Sequence, residues 1–398
     1  MSHAIIERGT LPDWRRPLLE SSKVPVSITT RDALNFLLAK CVEMKASDIR
    51  FVGGQPVWAR ISGVEFRLTE RTLNAGEVSW IAQETYGGSH ALSKLAGGSD
   101  LDTAYQFQLS RIDYLRFRVN TTQIQGEGNT TIKIILRHIP QDIPLWQDLG
   151  IPEIIVRNFC PHQGVVFVTG PTGSGKTTTI ASLFRNEVED EHKSHSINTY
   201  EAPIEFVYSN LTMPRSSIFQ AEVPRDLPSF AAGVRNSMRG APTGVLIGES
   251  RDAETMGATL EVANTGHTAW TTSHTNGVVE TFQRVLSLFP GNERAARATQ
   301  VAGAIRGVVT QNLFRRVDRP GRCAAHEYLF FDHAMRMELM ATSSEKWPPL
   351  LIEMLKQAGR SMASSVEEKY HQGIIAEHDF HAVALSAQRL DEIHGVAA

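Results

Sequence analysis

The chain has 398 residues, enough for two or three domains and a sizeable core, with 41% hydrophobic and 21% charged residues, an ordinary globular balance. A net charge of −3 gives no electrostatic reason to expect strong nucleic-acid binding, and three scattered cysteines (Cys41, Cys160, Cys323) exclude a disulfide framework or a cysteine-based zinc site. The N-terminus lacks the apolar h-region of a signal peptide, and no run approaches the roughly 18 apolar residues of a membrane span. The expectation is a cytoplasmic protein, with peripheral attachment to a membrane left open.

Residues 1–25 carry charges and prolines without period and read as a tail or docking arm. From Thr30, Leu34, Leu37, Leu38, Cys41 and Val42 fall at helical spacing, with Thr30 placed to cap. Strand-like runs follow at Ile49–Val52, Val57–Ile61 and Val64–Arg67, then a helical stretch over Ala75–Thr85. Three more alternating runs, Thr103–Leu109, Tyr114–Thr121 and Thr131–Arg137, complete a small α+β domain over residues 26–137 around an antiparallel sheet. Residues 138–150 hold two prolines and little periodicity, the pattern of an interdomain linker.

From Ile151 strands alternate with helices, the mark of a mostly parallel α/β sheet. The strands expected are Val165–Thr169, Ser196–Tyr200, Gly244–Gly248 and Ala269–Thr272, and after about Asn292 the chain reads as mainly helical to its end. Between the first of these strands and the helix that follows lie Gly170, Pro171, Thr172, Gly173, Ser174, Gly175, Lys176 and Thr177, which match the phosphate-binding pattern G-x-x-x-x-G-K-[ST] without exception. Its glycines let the backbone curl so that successive N–H groups face a nucleotide's phosphates, to which Thr178 adds the next helical residue. Lys176 supplies a point charge near the β- and γ-phosphates, and the Thr177 hydroxyl is suited to ligate Mg²⁺. The chain is expected to bind ATP.

Four further segments bear on what happens to the nucleotide. Glu201 and Glu205 flank Ala202-Pro-Ile204 at the end of a strand; either could orient an attacking water, and both could equally be solvated loop acids. Gly244-Val-Leu-Ile-Gly248 ends in Glu249, the form of a Walker B strand whose acid reaches Mg²⁺ through water. Asp252 reads as the structural N-cap of a helix over Ala253–Asn264. His267 and His274 stand at opposite ends of one strand, and His274 falls at the C-terminal, ligand-facing edge of a parallel sheet.

The order of P-loop, E-A-P-I-E-F, L-I-G-E-S-R-D-A-E-T, T-G-H and H-T-N resembles the secretion ATPase superfamily, whose members power type II and type IV secretion, type IV pili and conjugation. Ala46-Ser-Asp-Ile49, Gly54-Gln-Pro56 and Arg60-Ile-Ser-Gly63 are similar to its N-terminal signature, and Gly321–Glu327 is similar to its C-terminal helical region. Glu201–Tyr208, Glu222–Phe230 and Gly233–Asn236 resemble most the type IVB (Dot/Icm-like) branch and its conjugative-plasmid relatives.

The resemblance implies a PAS-like N-terminal domain, a RecA-like P-loop motor domain and a homohexameric ring that docks on a membrane-bound secretion or conjugation complex. It places the acidic box at Glu201 and Glu205, the Walker B acid and Mg²⁺ contact at Glu249, and the histidine box at His267 and His274. The arginines that reach the nucleotide from N-terminal strands map to Arg118 and Arg137, with Arg116 the candidate closest to an ordinary strand-surface arginine. Two departures stand out. Ala202 replaces a frequent Asp of the acidic box, and Met238–Thr243 lacks the usual acidic D-P-D, so Glu249 has no second acid beside it. The tetracysteine module of the type II branch is missing. A pilus retraction ATPase, a nucleic-acid translocase and a non-hydrolysing ring scaffold are the competing readings.

Overall fold

The computed structural model describes residues 18–393, apart from 20–23, 62–63, 111–113, 127, 140 and 320, and the chain divides between Asp142 and Ile143 into two units. Most of the expected N-terminal tail lies outside the described residues, and the division falls within the stretch read as a linker.

In the first unit, helix α1 (Arg31–Glu43) begins where Thr30, in extended conformation, accepts a hydrogen bond from the Ala33 N–H. It buries Leu34, Leu37, Leu38 and Cys41, the stripe its spacing predicts, and each such side chain contributes roughly 1.5–3 kcal/mol. Helix α2 (Ala75–Tyr86) starts with a reciprocal cap in which Asn74 and Glu77 each satisfy the other's backbone N–H. A short helix α3 (Ala91–Ala96) follows. These pack on a sheet built from strands β1 (Ala46–Val52), β2 (Trp58–Ile61), β3 (Val64–Arg67), β4 (Leu101–Gln108), β5 (Tyr114–Gln125) and β6 (Thr130–Ile139). The order is β3-β2-β1-β6-β5-β4 and every neighbouring pair is antiparallel. The register sets Arg118 of β5 directly opposite Arg137 of β6.

In the second unit, α4 (Glu153–Asn158) leads to β7 (Gly164–Thr169), all of whose residues are buried. That continuous burial is the signature of a parallel strand covered on both faces. The chain continues through α5 (Lys176–Val188), β8 (Ser196–Glu201), β9 (Ser217–Glu222), α6 (Phe230–Ser237), β10 (Gly244–Ile247), α7 (Ala253–Asn264) and β11 (Thr268–Ser273). Asp252 caps α7 by accepting from the Thr255 N–H at 2.8 Å, as its position predicts. Helices α8 (Val278–Ser287) and α9 (Arg294–Ala304) come next.

Past α9 the chain is mainly helical, as expected, but two strands that the pattern does not announce come first. Strands β12 (Ile305–Arg315) and β13 (Arg322–Phe330) form a long antiparallel hairpin, and helices resume only with α10 (His333–Ala341), α11 (Trp347–Ala358), α12 (Met362–His371) and α13 (Glu377–Ile393). The segment Gly321–Glu327, expected in the helical region, runs into β13 instead. The reason is partnership: β12 lies parallel to β7 and is buried over most of its length, so it lacks the alternation that would announce a strand. The sheet order is β13-β12-β7-β11-β10-β8-β9, parallel except for β13. Among the described residues, no helix is long and apolar enough to cross a membrane.

Candidate nucleotide-binding site

The six parallel strands deliver their C-terminal ends to one edge of the second sheet, and the residues of interest follow several of those ends. The loop after β7 runs from Gly170 to Gly175 and enters α5 at Lys176. Gly170 has φ +137°, and a Cβ there would stand 2.2 Å from the main-chain oxygen of Gln311, so only glycine fits. Gly175, at φ +87°, forms the N-cap of α5, and a Cβ there would meet the Gln311 amide nitrogen at 2.8 Å. The helix thus opens on free backbone N–H groups that point toward the loop, a ready anion site.

Lys176 is buried, and its ammonium donates to the carbonyls of Gly170 (2.7 Å) and Pro171 (3.0 Å). Burial lowers its pKa, while the negative charges of Glu249 and Glu205 act to raise it, so both carboxylates lie within electrostatic reach of this one cation. Glu249 follows β10 and is held by Arg251, whose Nε stands 2.6 Å from Oε1. Burial would raise the pKa of Glu249, but the hydrogen bond and charge of Arg251, then those of His274, outweigh it and keep the carboxylate ionised below its ordinary range. His274 follows β11. Its Nδ1 lies 3.5 Å from Lys176 Nζ and 3.5 Å from Thr172 Oγ1, and its Nε2 lies 3.5 Å from Glu249 Oε2.

The two acids of the E-A-P-I-E segment separate. Glu201 is buried at the end of β8, where it accepts from Thr199 Oγ1 (2.7 Å) and Gln220 Nε2 (3.1 Å). Gln220 also donates to the Phe206 carbonyl, and Glu222 accepts from the Ile204 N–H, so strand β9 secures the loop that carries Glu205. Nothing in the sequence pattern announces Gln220 or Glu222 in these roles, because each acts on the chain around Glu201 and Glu205 from another strand, and Arg251 shows itself only by folding back on Glu249 two residues earlier.

His267 does not join this group within the chain. Its carbonyl accepts from the Gly164 N–H at the start of β7, and its Nδ1 lies near Thr265 Oγ1. It therefore stands at the far end of β11 from His274, about six residues or roughly 20 Å of strand away. In the first unit, Arg118 pairs with Asp102 (3.0 Å) and Arg137 with the buried Asp48 (2.8 Å). Arg116 is buried, contrary to its reading as a strand-surface arginine.

Mg²⁺ asks for hard oxygen ligands and usually takes only one or two from protein, the rest coming from phosphate and water. Among the described residues no cluster of three or more His, Cys, Asp or Glu side chains could hold a metal alone. Thr177 at the start of α5 and Glu249 across the loop offer the two oxygens such an ion would take beside a nucleotide. The residues fit.

Residues 102–379 match the protein family described as Type II/IV secretion system protein. The type IV pilus retraction ATPase PilT of Pseudomonas aeruginosa is 32% identical over 301 residues, which cover 75% of this chain and 83% of PilT. A twitching motility protein of Neisseria gonorrhoeae is 33% identical, over 70% of this chain and 71% of its own length. Among solved structures, the ATPase DotB of Legionella pneumophila superimposes with a TM-score of 0.84 at 37% identity, covering 92% of this chain and 99% of DotB. The pilus retraction motor PilT with bound ADP gives a TM-score of 0.74 at 29% identity, covering 87% of this chain and 95% of PilT.

Proposed function

Because this chain belongs to the type II/IV secretion system protein family, whose relatives here are motor ATPases, we propose that it hydrolyses ATP as a homohexamer to drive a type IVB secretion or conjugative transfer apparatus. The observation that carries the choice of branch is the likeness to DotB, which spans nearly all of that chain and exceeds the likeness to the ADP-bound PilT structure in both identity and superposition. The ring would dock on the cytoplasmic face of a membrane complex.

The chemistry follows from the site. The N–H groups of Gly173–Thr177 receive the phosphates, and Lys176 exchanges its two loop carbonyls for β- and γ-phosphate oxygens. Thr177 and Glu249 would hold Mg²⁺, which when bound neutralises charge on those oxygens. Glu205 orients the attacking water and takes its proton as the water oxygen bonds to the γ-phosphorus and the bond to the β-phosphate oxygen breaks. Glu201 is the less suited of the two acids, because its lone pairs already accept from Thr199 and Gln220. His274, between Lys176 and Glu249, senses the γ-phosphate. Arg118 and Arg137, side by side on β5 and β6, are the candidates to bring further positive charge from the first unit. His267 has no part in the chemistry of a single chain.

Pilus retraction is the second reading, favoured by the PilT relatives among the matched sequences. Deleting the gene in its own bacterium separates the two. Loss of substrate or plasmid transfer with twitching motility intact supports the type IVB reading; loss of twitching with transfer intact contradicts it.

A further inference from the structure

Gln311 is buried beneath the phosphate loop, and every polar atom of its side chain is committed. Its Nε2 donates to the Ser174 carbonyl at 2.6 Å, and its Oε1 accepts from Thr179 Oγ1 at 2.6 Å and meets His326 Nε2 at 2.9 Å. These partners fix both the amide and the imidazole. A main-chain carbonyl only accepts, so the amide NH₂ must face Ser174 and the amide oxygen must face Thr179 and His326. His326 Nε2 must then carry a proton and donate. His326 is itself buried on β13, and its main-chain N–H donates to Ser365 Oγ of α12 at 3.1 Å. The main chain at Gln311 touches the loop as well: its carbonyl oxygen excludes a side chain at Gly170, while the side-chain Nε2 crowds Gly175.

We propose that Gln311, oriented by His326, is a positioning residue for phosphate binding: a strut from β12 and β13 that holds Ser174 and Thr179, one on each side of Lys176, in the curl that aims the loop's N–H groups. Neither side chain touches the nucleotide. They act by keeping the loop preorganised, so that ATP does not have to order it on binding. The strut also ties the loop to α12 through Ser365, giving the C-terminal helices a hydrogen-bonded path to the phosphates. The proposal rests on the P-loop being the nucleotide site.

The test is titration of the full-length protein with a fluorescent ADP analogue, alongside ATP turnover. Gln311→Glu keeps the shape but turns an oxygen toward the Ser174 carbonyl, and the expected result is at least a tenfold rise in Kd, about 1.4 kcal/mol. Should that buried charge unfold the chain, Gln311→Met carries the same prediction without it. His326→Leu, which retains volume but cannot donate, should weaken ADP binding comparably. His326→Gln supplies a neutral N–H near the position of Nε2 and should bind within about threefold of wild type. That rescue separates positioning from packing. Wild-type affinity in a folded Gln311→Met or His326→Leu variant, or equal loss in His326→Leu and His326→Gln, overturns the proposal. A wild-type protein that binds no ADP would instead overturn the site assignment on which it stands.

Discussion

His274 stands between two charges, with Nδ1 3.5 Å from the Lys176 ammonium and Nε2 3.5 Å from Glu249 Oε2. Its imidazole thus bridges the cation and the Walker acid. His274→Ala should lower kcat by about 10–100-fold with a smaller change in ADP affinity, read from steady-state kinetics beside a binding titration. An unchanged kcat would remove His274 from the chemistry.

The two glutamates of the acidic box should behave differently. Glu205 has its charge beside Lys176, whereas Glu201 is tied to Thr199 and Gln220. Glu205→Gln should leave the fold and ATP binding intact and cost about 10²–10⁴ in kcat, the usual worth of a positioned base. Glu201→Gln replaces one buried acceptor oxygen by an NH₂ group and should lower stability by about 1–3 kcal/mol. Paired thermal melts and turnover assays decide; the opposite pattern would exchange the roles.

Stability should fall with mild acid through His326. Burial, then the charge of Lys369, pushes its pKa down from 6.5 to about 3. The unfolded chain therefore binds that proton first, so stability is full above pH 6.5 and is lost as pH falls from there toward about 3. The slope is at most about 1.4 kcal/mol per pH unit. Half-buried His138, also lowered, adds a contribution of the same sign. Half-buried Glu327 acts oppositely: desolvation raises its pKa above 4.5 despite N–H donors from Val278 and Met362, so its contribution weakens as pH rises through that raised value. Unfolding free energies from urea titrations at pH 6.5 and 5 should differ by about 1–2 kcal/mol more in wild type than in His326→Gln. Identical slopes would show that His326 is not held neutral.

The sequence made the local features legible. The P-loop, the Thr30 and Asp252 caps and the apolar run before Glu249 each depend on residues within a few positions of one another, and all stand where the pattern puts them. What stayed hidden depends on distant partners. Strand β9, a partly exposed edge strand, shows itself only beside β8, and β12 only beside β7, since a strand covered on both faces lacks alternation and Ile305 follows directly on a helix. Gln311 and His326 could not be picked out as site residues for the same reason: Gln311 reaches Ser174 across 137 positions of chain, and His326 acts through Gln311, 15 positions away. The sequence already set His267 and His274 at opposite ends of one strand; within the chain only His274 meets Lys176 and Glu249.

The site as a whole rests on Lys176, whose ammonium lies against the carbonyls of Gly170 and Pro171 and within reach of Glu249 and Glu205. Phosphate release from ATP by the purified full-length protein, measured beside folded Lys176→Ala, addresses this most directly. The account predicts ATP-dependent release by wild type and none above background in the variant. Equal release by the two proteins would contradict it.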